Sequence, residues 1–344
     1  MSAAVAGQST TSTQRQHPDR LSSQDRAIFA ELQRDGRTPF TTVADRLGVS
    51  EAHVRRRVKT LTDDDMFAIT AVADPRVLGL DCMAWIGLNV RPALIEAVAD
   101  ALLKVDAVDY LVVSSGRFNV IAEVSCPTSA ELEPILTSLR ALDGVERLES
   151  YIYLSLAHQQ FQWFLLETPH GVPVNGAGVK QRPREFDPLD IGIIRELEQD
   201  GRASFRTIGQ HLGVSERLVS TRYATLVDQN VLKVIAVGNP INLGYDAMAW
   251  IGLVLDRDAD RATVARGLGR IPAIDYVLVP SGPFDLIGEL VCRDGDDLLE
   301  TLTKDVGAVE GIAQVETFPF LKLLYKSTAG AYGVGRSTVP ANSA

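Results

Sequence analysis

Two stretches of the chain carry side chains suited to gripping a polyanion. SEAHVRRRVKT, residues 50–60, holds Arg55, Arg56, Arg57 and Lys59 against Glu51 alone. SERLVSTRYAT, residues 215–225, holds Arg217 and Arg222 with Ser220 and Thr221. Guanidinium forks make bidentate contacts with guanine edges or phosphate, and hydroxyls serve either. In a helix, Val54, Val58 and Leu61 form one apolar stripe, leaving Glu51, Ala52, Arg55, Arg56 and Lys59 outward and Arg57 beside the stripe. A basic run alone is ordinarily a solvated helix face. Here it follows a glycine turn, Gly48-Val49-Ser50, and the arrangement recurs at Gly213-Val214-Ser215. That context assigns contact with duplex DNA to Ser50, Glu51, His53, Arg55, Arg56, Arg57 and Lys59, and to Ser215, Arg217, Ser220, Thr221 and Arg222.

Other chemistry finds no footing. No Ser/His/Asp or Cys/His constellation, phosphate loop or pair of catalytic carboxylates can be assembled, so the residues predict no enzyme and no cofactor. The five histidines, His17, His53, His158, His170 and His211, are scattered without metal-ligand spacing, with His158 and His170 falling near the linker. Cys82, Cys126 and Cys292 lie far apart and are odd in number, which argues against a disulfide framework or zinc site and for a reducing cytoplasm. No apolar run approaches the ~18 residues of a membrane span, and the first twenty residues lack the apolar core of a secretory signal. The 344 residues carry 34 cationic and 44 anionic side chains, a net charge of −10, with 46% apolar content typical of a globular protein. Such a balance excludes indiscriminate coating of nucleic acid. The segment 21–67 has 8 cationic against 8 anionic residues and 186–232 has 5 against 7, so the acidic excess lies mainly outside the basic helices.

The elements that position these side chains are written twice. Asp25 matches Asp190 at an offset of 165, and Gly36 with Gly201, Gly48 with Gly213 and Trp85 with Trp250 keep it. Roughly 31 of 66 positions are identical over residues 25–90 and their counterparts, far above chance. Each copy opens with three short helices. Ser22, with Asp25 three residues on, caps the first, as Asp187-Pro188 does in the second copy, and Gly36 and Gly201 are expected as C-caps with positive φ. Helix, glycine turn, helix is the helix-turn-helix pattern, whose last helix enters the major groove. The remainder of each copy reads β-α-β-β-α-β, a ferredoxin-like α+β sheet with one bare face. Its first strands, CMAWIGLNV and AMAWIGLVL, are apolar on both faces, so another copy should cover that face, with Trp85 and Trp250 packing between the sheets. The predicted organisation is a disordered tail at 1–20, helix-turn-helix 1 at 21–67, regulatory domain 1 at 68–165, and a Gly/Pro-rich linker at 166–185. Helix-turn-helix 2 at 186–232, regulatory domain 2 at 233–326 and a disordered tail at 327–344 follow.

These residues resemble the Lrp/AsnC (leucine-responsive, feast/famine) transcriptional regulators over almost all of 21–165 and 186–326. The resemblance rests on Asp25, Leu32, Asp35-Gly36-Arg37, Gly48-Val49-Ser50, Arg57-Val58, Pro75, Leu78-Gly79 and Ser115-Gly116-x-Phe118-Asn119, and on their counterparts through Ser281-Gly282-x-Phe284-Asp285. Three departures stand out. Asp65 and Asn230 replace a glycine after the recognition helix, Asn119 faces Asp285 at the turn, and two modules share one chain where most relatives carry one. The resemblance implies a DNA-binding regulator whose ferredoxin-like domains receive an amino-acid effector near that turn. Carried over, the effector candidates are Ser114, Ser115, Gly116, Phe118 and Asn119 with Ser281, Gly282, Phe284 and Asp285. Glycine would let the ligand approach, backbone N–H groups would take its carboxylate, and Asp285 its ammonium. It further implies regulatory domains that pair within the chain, a homo-oligomer, and no membrane partner. Two alternatives share the architecture: a siroheme-decarboxylase-like tetrapyrrole enzyme and a DNA-independent amino-acid sensor. Because RRRVK and STRYA differ, the two half-sites should differ as well.

Overall fold

The computed structural model describes residues 21–73, 78–159, 186–229 and 231–326; the expected tails and linker lie outside them. Each copy begins with a trihelical unit: α1 (Ser23–Arg34), α2 (Phe40–Leu47) and α3 (Glu51–Asp63), and again α6 (Pro188–Gln199), α7 (Phe205–Leu212) and α8 (Glu216–Asp228). The caps are those the sequence dictates. Ser22 and Asp25 form a capping box, Asp187 accepts from the Asp190 N–H at 2.9 Å, and Ser50 and Ser215 cap α3 and α8. Gly48 and Gly213 close α2 and α7 in the left-handed region, at φ 67° and 70°, where a side chain would be strained.

Strands β1 (Phe67–Ala73) and β6 (Leu232–Gly238) pair antiparallel in a two-stranded ribbon, from Phe67 opposite Gly238 to Ala73 opposite Leu232. These residues fall at the domain boundaries drawn from sequence, yet they join neither regulatory sheet. The α1 helix packs on β6 and the α6 helix on β1, so each helical unit rests on the other copy's strand. Gly36 and Gly201 explain how. Neither has a positive φ, contrary to the C-cap expectation. Instead the Gly36 N–H donates to the Val234 carbonyl at 2.8 Å and the Gly201 N–H to the Ile69 carbonyl at 2.9 Å. A Cβ on Gly36 would sit 3.1 Å from the Ile235 backbone of the other copy and 2.8 Å from Ile69 Cγ2 of its own, and one on Gly201 2.7 Å from the Ile69 oxygen. Close backbone approach across the copies requires glycine there.

The next residue completes the clasp. Arg37 donates to the Gly201 and Ala203 carbonyls at 2.7 and 3.0 Å, while Arg202 reaches the Gly36 and Thr38 carbonyls at 2.5 and 3.1 Å. Each guanidinium also lies over an aromatic ring of the opposite unit, Arg37 over Phe205 at 4.6 Å and Arg202 over Phe40 at 4.0 Å.

The remaining strands of the described residues form one closed barrel. Copy one supplies β2 (Cys82–Val90), β3 (Val108–Ser114), β4 (Val120–Cys126) and the long β5 (Val145–Gln159), with α4 (Ile95–Leu102) and α5 (Ser129–Arg140) outside. Copy two supplies β7 (Ala247–Leu255), β8 (Ile274–Pro280), β9 (Leu286–Cys292) and β10 (Ile312–Lys326), with α9 (Pro240–Leu243) ahead of β7 and α10 (Arg261–Leu268) and α11 (Gly295–Glu300) outside. The order is β10-β3-β4-β2-β5-β8-β9-β7. The far halves of β5 and β10 cross over to pair with β8 and β3 of the other copy, which closes both edges. The bare sheet faces therefore cover each other, as expected. Trp85 and Trp250 meet edge to face at 6.3 Å among Phe118, Tyr151, Phe284 and Phe318. Gly87 and Gly252 exist to admit the phenylalanines: a Cβ on either would lie 2.5 or 2.6 Å from the Phe118 or Phe284 ring. Inside, the Tyr110 hydroxyl donates to Glu289 of the other copy at 2.7 Å, and the Tyr153 hydroxyl to Glu123.

Two buried carboxylates make the helical half sensitive to pH in opposite senses. Asp25 is 4% exposed and accepts from Arg57 Nε and Nη2 at 2.7 and 3.0 Å, tying α1 to α3. Burial alone would raise its pKa, but hydrogen bonds from Arg57 and Ser22 together with the Arg57 charge hold it below the usual carboxylate range. This stabilisation is present above the unfolded-state pKa and is lost as pH falls through the folded one. Arg57→Ala should therefore cost about 2–3 kcal/mol at pH 7, since it strands a buried charge, and the deficit should shrink in acid, as read by urea denaturation. Glu198, 6% exposed on α6, has burial without a compensating partner at Oε1 and is pushed up to about 8. Between the unfolded value of 4.5 and that figure the unfolded chain releases a proton that the folded one keeps, so stability falls as pH rises. Copy one carries Gln33 at the same position. Glu198→Gln should raise stability at pH 8 by on the order of 2 kcal/mol and change little at pH 4.5, measured by thermal denaturation across that range.

Candidate nucleic-acid interface

The outer face of α3 is a cationic surface built on a neutral scaffold. Val54, Val58 and Leu61 are buried against α1 and α2, which fixes the opposite side toward solvent. Ser50 places the helix start, its hydroxyl accepting from the His53 N–H at 3.2 Å. Arg55 and Lys59 are open to solvent, with side chains 64% and 75% exposed. Arg55 is steadied by Glu51 at 2.6 Å and lies 5.4 Å over the Phe40 ring, and Lys59 is paired with Asp63 at 2.7 Å. Arg56 contacts His53 Nδ1 at 3.2 Å. Glu51, Ala52, Arg55, Arg56 and Lys59 together line an open depression on this face. Exposed i,i+4 ion pairs are weak, so a phosphate can displace Glu51 or Asp63 from these cations at small cost.

Arg57 is not part of that face. It and its counterpart Arg222 turn inward, Arg57 to Asp25 and Arg222 to Asp190 at 3.1 Å and Asp187 at 2.7 Å. Both were expected to touch DNA; their position beside the apolar stripe instead commits them to holding the trihelical units together. The α8 face differs in kind from that of α3. At the positions of Arg55, Arg56 and Lys59 it presents Ser220, Thr221 and Ala224, with Arg217 and the 39%-exposed Leu218 in place of Ala52 and His53. Ser215 caps the helix as Ser50 does, and the Thr221 hydroxyl donates to the Arg217 carbonyl at 2.9 Å.

The turn residues assigned to an effector occupy several different settings. Phe118 and Phe284 are packed inside the barrel, and Ser114 is 2% exposed. Asn119 and Asp285 share one structural task. The Val90 N–H donates to Asn119 Oδ1 at 2.8 Å and the Leu255 N–H to Asp285 Oδ2 at 2.9 Å. Asp285 additionally meets Arg261 at 3.1 Å, which occupies the carboxylate expected to take an ammonium group. Gly116 and Gly282, at φ 104° and 116°, are the exposed apices. Ser281 is latched to β5, its N–H donating to the Ile152 carbonyl at 2.7 Å and its hydroxyl accepting from the Ile152 N–H at 2.8 Å. In the other turn Pro319 stands where Ile152 does and has no N–H to give to Ser115. Arg117 instead braces that turn to Glu149 and Glu316 at 3.0 and 3.6 Å. His158, expected near the linker, is a residue of β5 opposite Val277. Asp65, which stands where relatives carry glycine, has a positive φ of 52°; Asn230 lies outside the described residues. Among the described residues no helix is long and apolar enough to cross a membrane.

Comparison with known proteins finds two family domains, each matched twice. The AsnC-type helix-turn-helix domain matches residues 21–62 and 186–227, and the Lrp/AsnC ligand binding domain matches 82–162 and 246–329. The HTH-type transcriptional regulator LrpA of Pyrococcus horikoshii is 32% identical over 130 residues, 37% of this chain and 92% of that protein. An uncharacterised HTH-type transcriptional regulator of the same organism is 30% identical over 140 residues, 40% of this chain and 86% of its own length. Among solved structures, the siroheme decarboxylase NirDL superposes with a TM-score of 0.60 at 17% identity, covering 88% of this chain and 92% of that one, a likeness of fold. With both family domains present twice and in the same order, the chain belongs to the Lrp/AsnC family of transcriptional regulators.

Proposed function

We propose that one polypeptide of this protein supplies both reading heads of a sequence-specific transcriptional regulator, and that the two heads read dissimilar half-sites. The observation that carries this reading is the pair of outward helices α3 and α8, held on one ribbon by reciprocal backbone contacts and bearing different side chains at equivalent positions. Arg55 and Arg56 suit guanine edges and phosphates, and Lys59 suits phosphate. Ser220 and Thr221 suit either kind of acceptor, while Leu218 and Ala224 suit the thymine methyl. The acidic remainder of the chain repels the backbone and restricts docking to these faces.

The small-molecule role belongs to the barrel. Its two ligand-binding-domain matches support recognition of an amino acid or related metabolite, with Ser115, Gly116, Ser281 and Gly282 as the accessible turn atoms. A tetrapyrrole enzyme is the competing reading and draws on likeness of fold alone; the barrel interior here is filled by Trp85, Trp250, Phe118, Phe284 and Phe318. A Soret shift on titration with an iron porphyrin would favour it.

Selection from a random duplex library, with and without a mixture of the twenty amino acids, tests the main reading. The expected product is a non-palindromic site with two centres about one helical turn, ~34 Å, or a multiple apart. Combined Arg55→Ala, Arg56→Ala and Lys59→Ala should lower affinity at least tenfold and reduce the slope of log affinity against log salt by about 2–3. Undiminished binding, or a perfect palindrome, would defeat the assignment.

A further inference from the structure

Cys82 and Cys126 are separated in sequence but joined by strand register. Cys82 opens β2, Cys126 closes β4, and the two stand directly opposite each other. Both side chains lie on the helix-covered side of the sheet, in one cluster with Ala84 and Val124. Their relative exposures are 7% and 3%. The second copy shows what class of pair this is. There Ala247 opposes Cys292, and the next pair outward is hydrogen-bonded, the Asp246 N–H donating to the Arg293 carbonyl at 3.0 Å. Hydrogen-bonded and non-hydrogen-bonded pairs alternate in an antiparallel ladder, so Ala247 and Cys292 form a non-hydrogen-bonded pair. The Cα atoms of such a pair are about 4.5 Å apart with side chains close. The same register in the first copy sets Cys82 and Cys126 at that spacing, within the ~4.4–6.8 Å range of disulfides.

We propose that Cys82 and Cys126 are an oxidisable dithiol that closes to a cross-strand disulfide on exposure to hydrogen peroxide, while Cys292 remains a thiol. The Cys82 sulfur, the more exposed, attacks peroxide and breaks the O–O bond, giving a sulfenic acid and one water. The Cys126 sulfur then attacks the Cys82 sulfur, loses its proton and expels the second water. Two thiols are oxidised and one peroxide is reduced to two waters. Burial pushes the Cys126 thiol up to about 11, with the neighbouring Cys82 adding to the effect, so the second step is slow and responds to sustained oxidant. The Cys126 thiol donates to the Thr128 carbonyl at 3.3 Å in the meantime.

The location gives the bond a consequence. Cys82 opens the first barrel strand that follows helix-turn-helix 1 and β1 in the chain, and Cys126 leads into the Thr128 cap of α5. The bond fastens that corner of the first copy only, because Ala247 occupies the matching corner of the second. Oxidation would thus distinguish two halves that the fold otherwise makes equivalent.

Full-length protein is treated with graded hydrogen peroxide, and free thiols are counted after denaturation. The count should fall from the 3 of the reduced chain to one, and a non-reducing peptide map should show the segments holding Cys82 and Cys126 linked. Cys82→Ala, which copies the residue the second module already tolerates, should retain the Cys292 thiol and give no linked peptide. A constant count of 3, loss of Cys292 in step with the others, or sulfinic acid at Cys82 without a linked peptide would overturn the proposal.

Discussion

The close approach of backbone at Gly36 and Gly201 is the constraint from which the helical half of the molecule follows. Each glycine N–H donates to a strand of the other copy, and a single methyl group at either would meet a neighbouring atom at under 3 Å. Only at that distance do Arg37 and Arg202 reach the opposite carbonyls and lie over the opposite aromatic rings. The contacts are reciprocal, so the spacing and orientation of α3 and α8 are set by the same few atoms on both sides. Covalent linkage alone raises local concentration without fixing geometry; the ribbon and its arginines fix it.

The barrel obeys a matching rule with different chemistry. Two sheets, each with an uncovered aromatic face, close edge to edge because β5 and β10 are long enough to leave their own sheet and pair with the other. Closure removes the edges at which an open sheet would invite aggregation. Gly87 and Gly252 again supply space, here for the Phe118 and Phe284 rings, which carries each β-turn onto the interior aromatic stack. The turns are thereby coupled to the centre of the domain pair. A ligand that moved Gly116 or Gly282 would work against packed rings rather than against a loose hairpin.

Much of this was legible in the residues, and what was not has a common cause. Caps at Ser22 and Asp187 are local chemistry and stand where expected. So do the α3 stripe and the burial of Trp85 and Trp250, because periodicity reports which face is hidden. What the sequence hid is what one copy does to the other. The runs 67–73 and 232–238 are short and lack a neighbouring partner in sequence, so nothing local marks them as a ribbon. Gly36 follows a helix and therefore reads as a cap, though its reason is a strand more than 190 residues away in the chain. Arg57 reads as a third arginine of a basic face until Asp25 is placed beneath it. Phe118 and Asp285 read as ligand contacts until Gly87 and Arg261 account for them. In each case the missing information was a long-range neighbour, not a propensity.

Comparing the two copies position by position shows where the fold permits difference. Several groups that touch across the copies or hold the trihelical units are the same in both: Gly36 and Gly201, Arg37 and Arg202, Asp25 and Asp190, Arg57 and Arg222, Trp85 and Trp250. The outward positions are not: Arg55, Arg56 and Lys59 stand opposite Ser220, Thr221 and Ala224. Two separate identical chains must present identical reading faces, and an isologous pair then reads a palindrome. Placing both modules in one chain removes that obligation while the reciprocal contacts keep the geometry of a symmetric pair. The framework stays matched because each of these contacts is repeated by its duplicate in the other half. The reading helices are released from it because their partner is outside the protein.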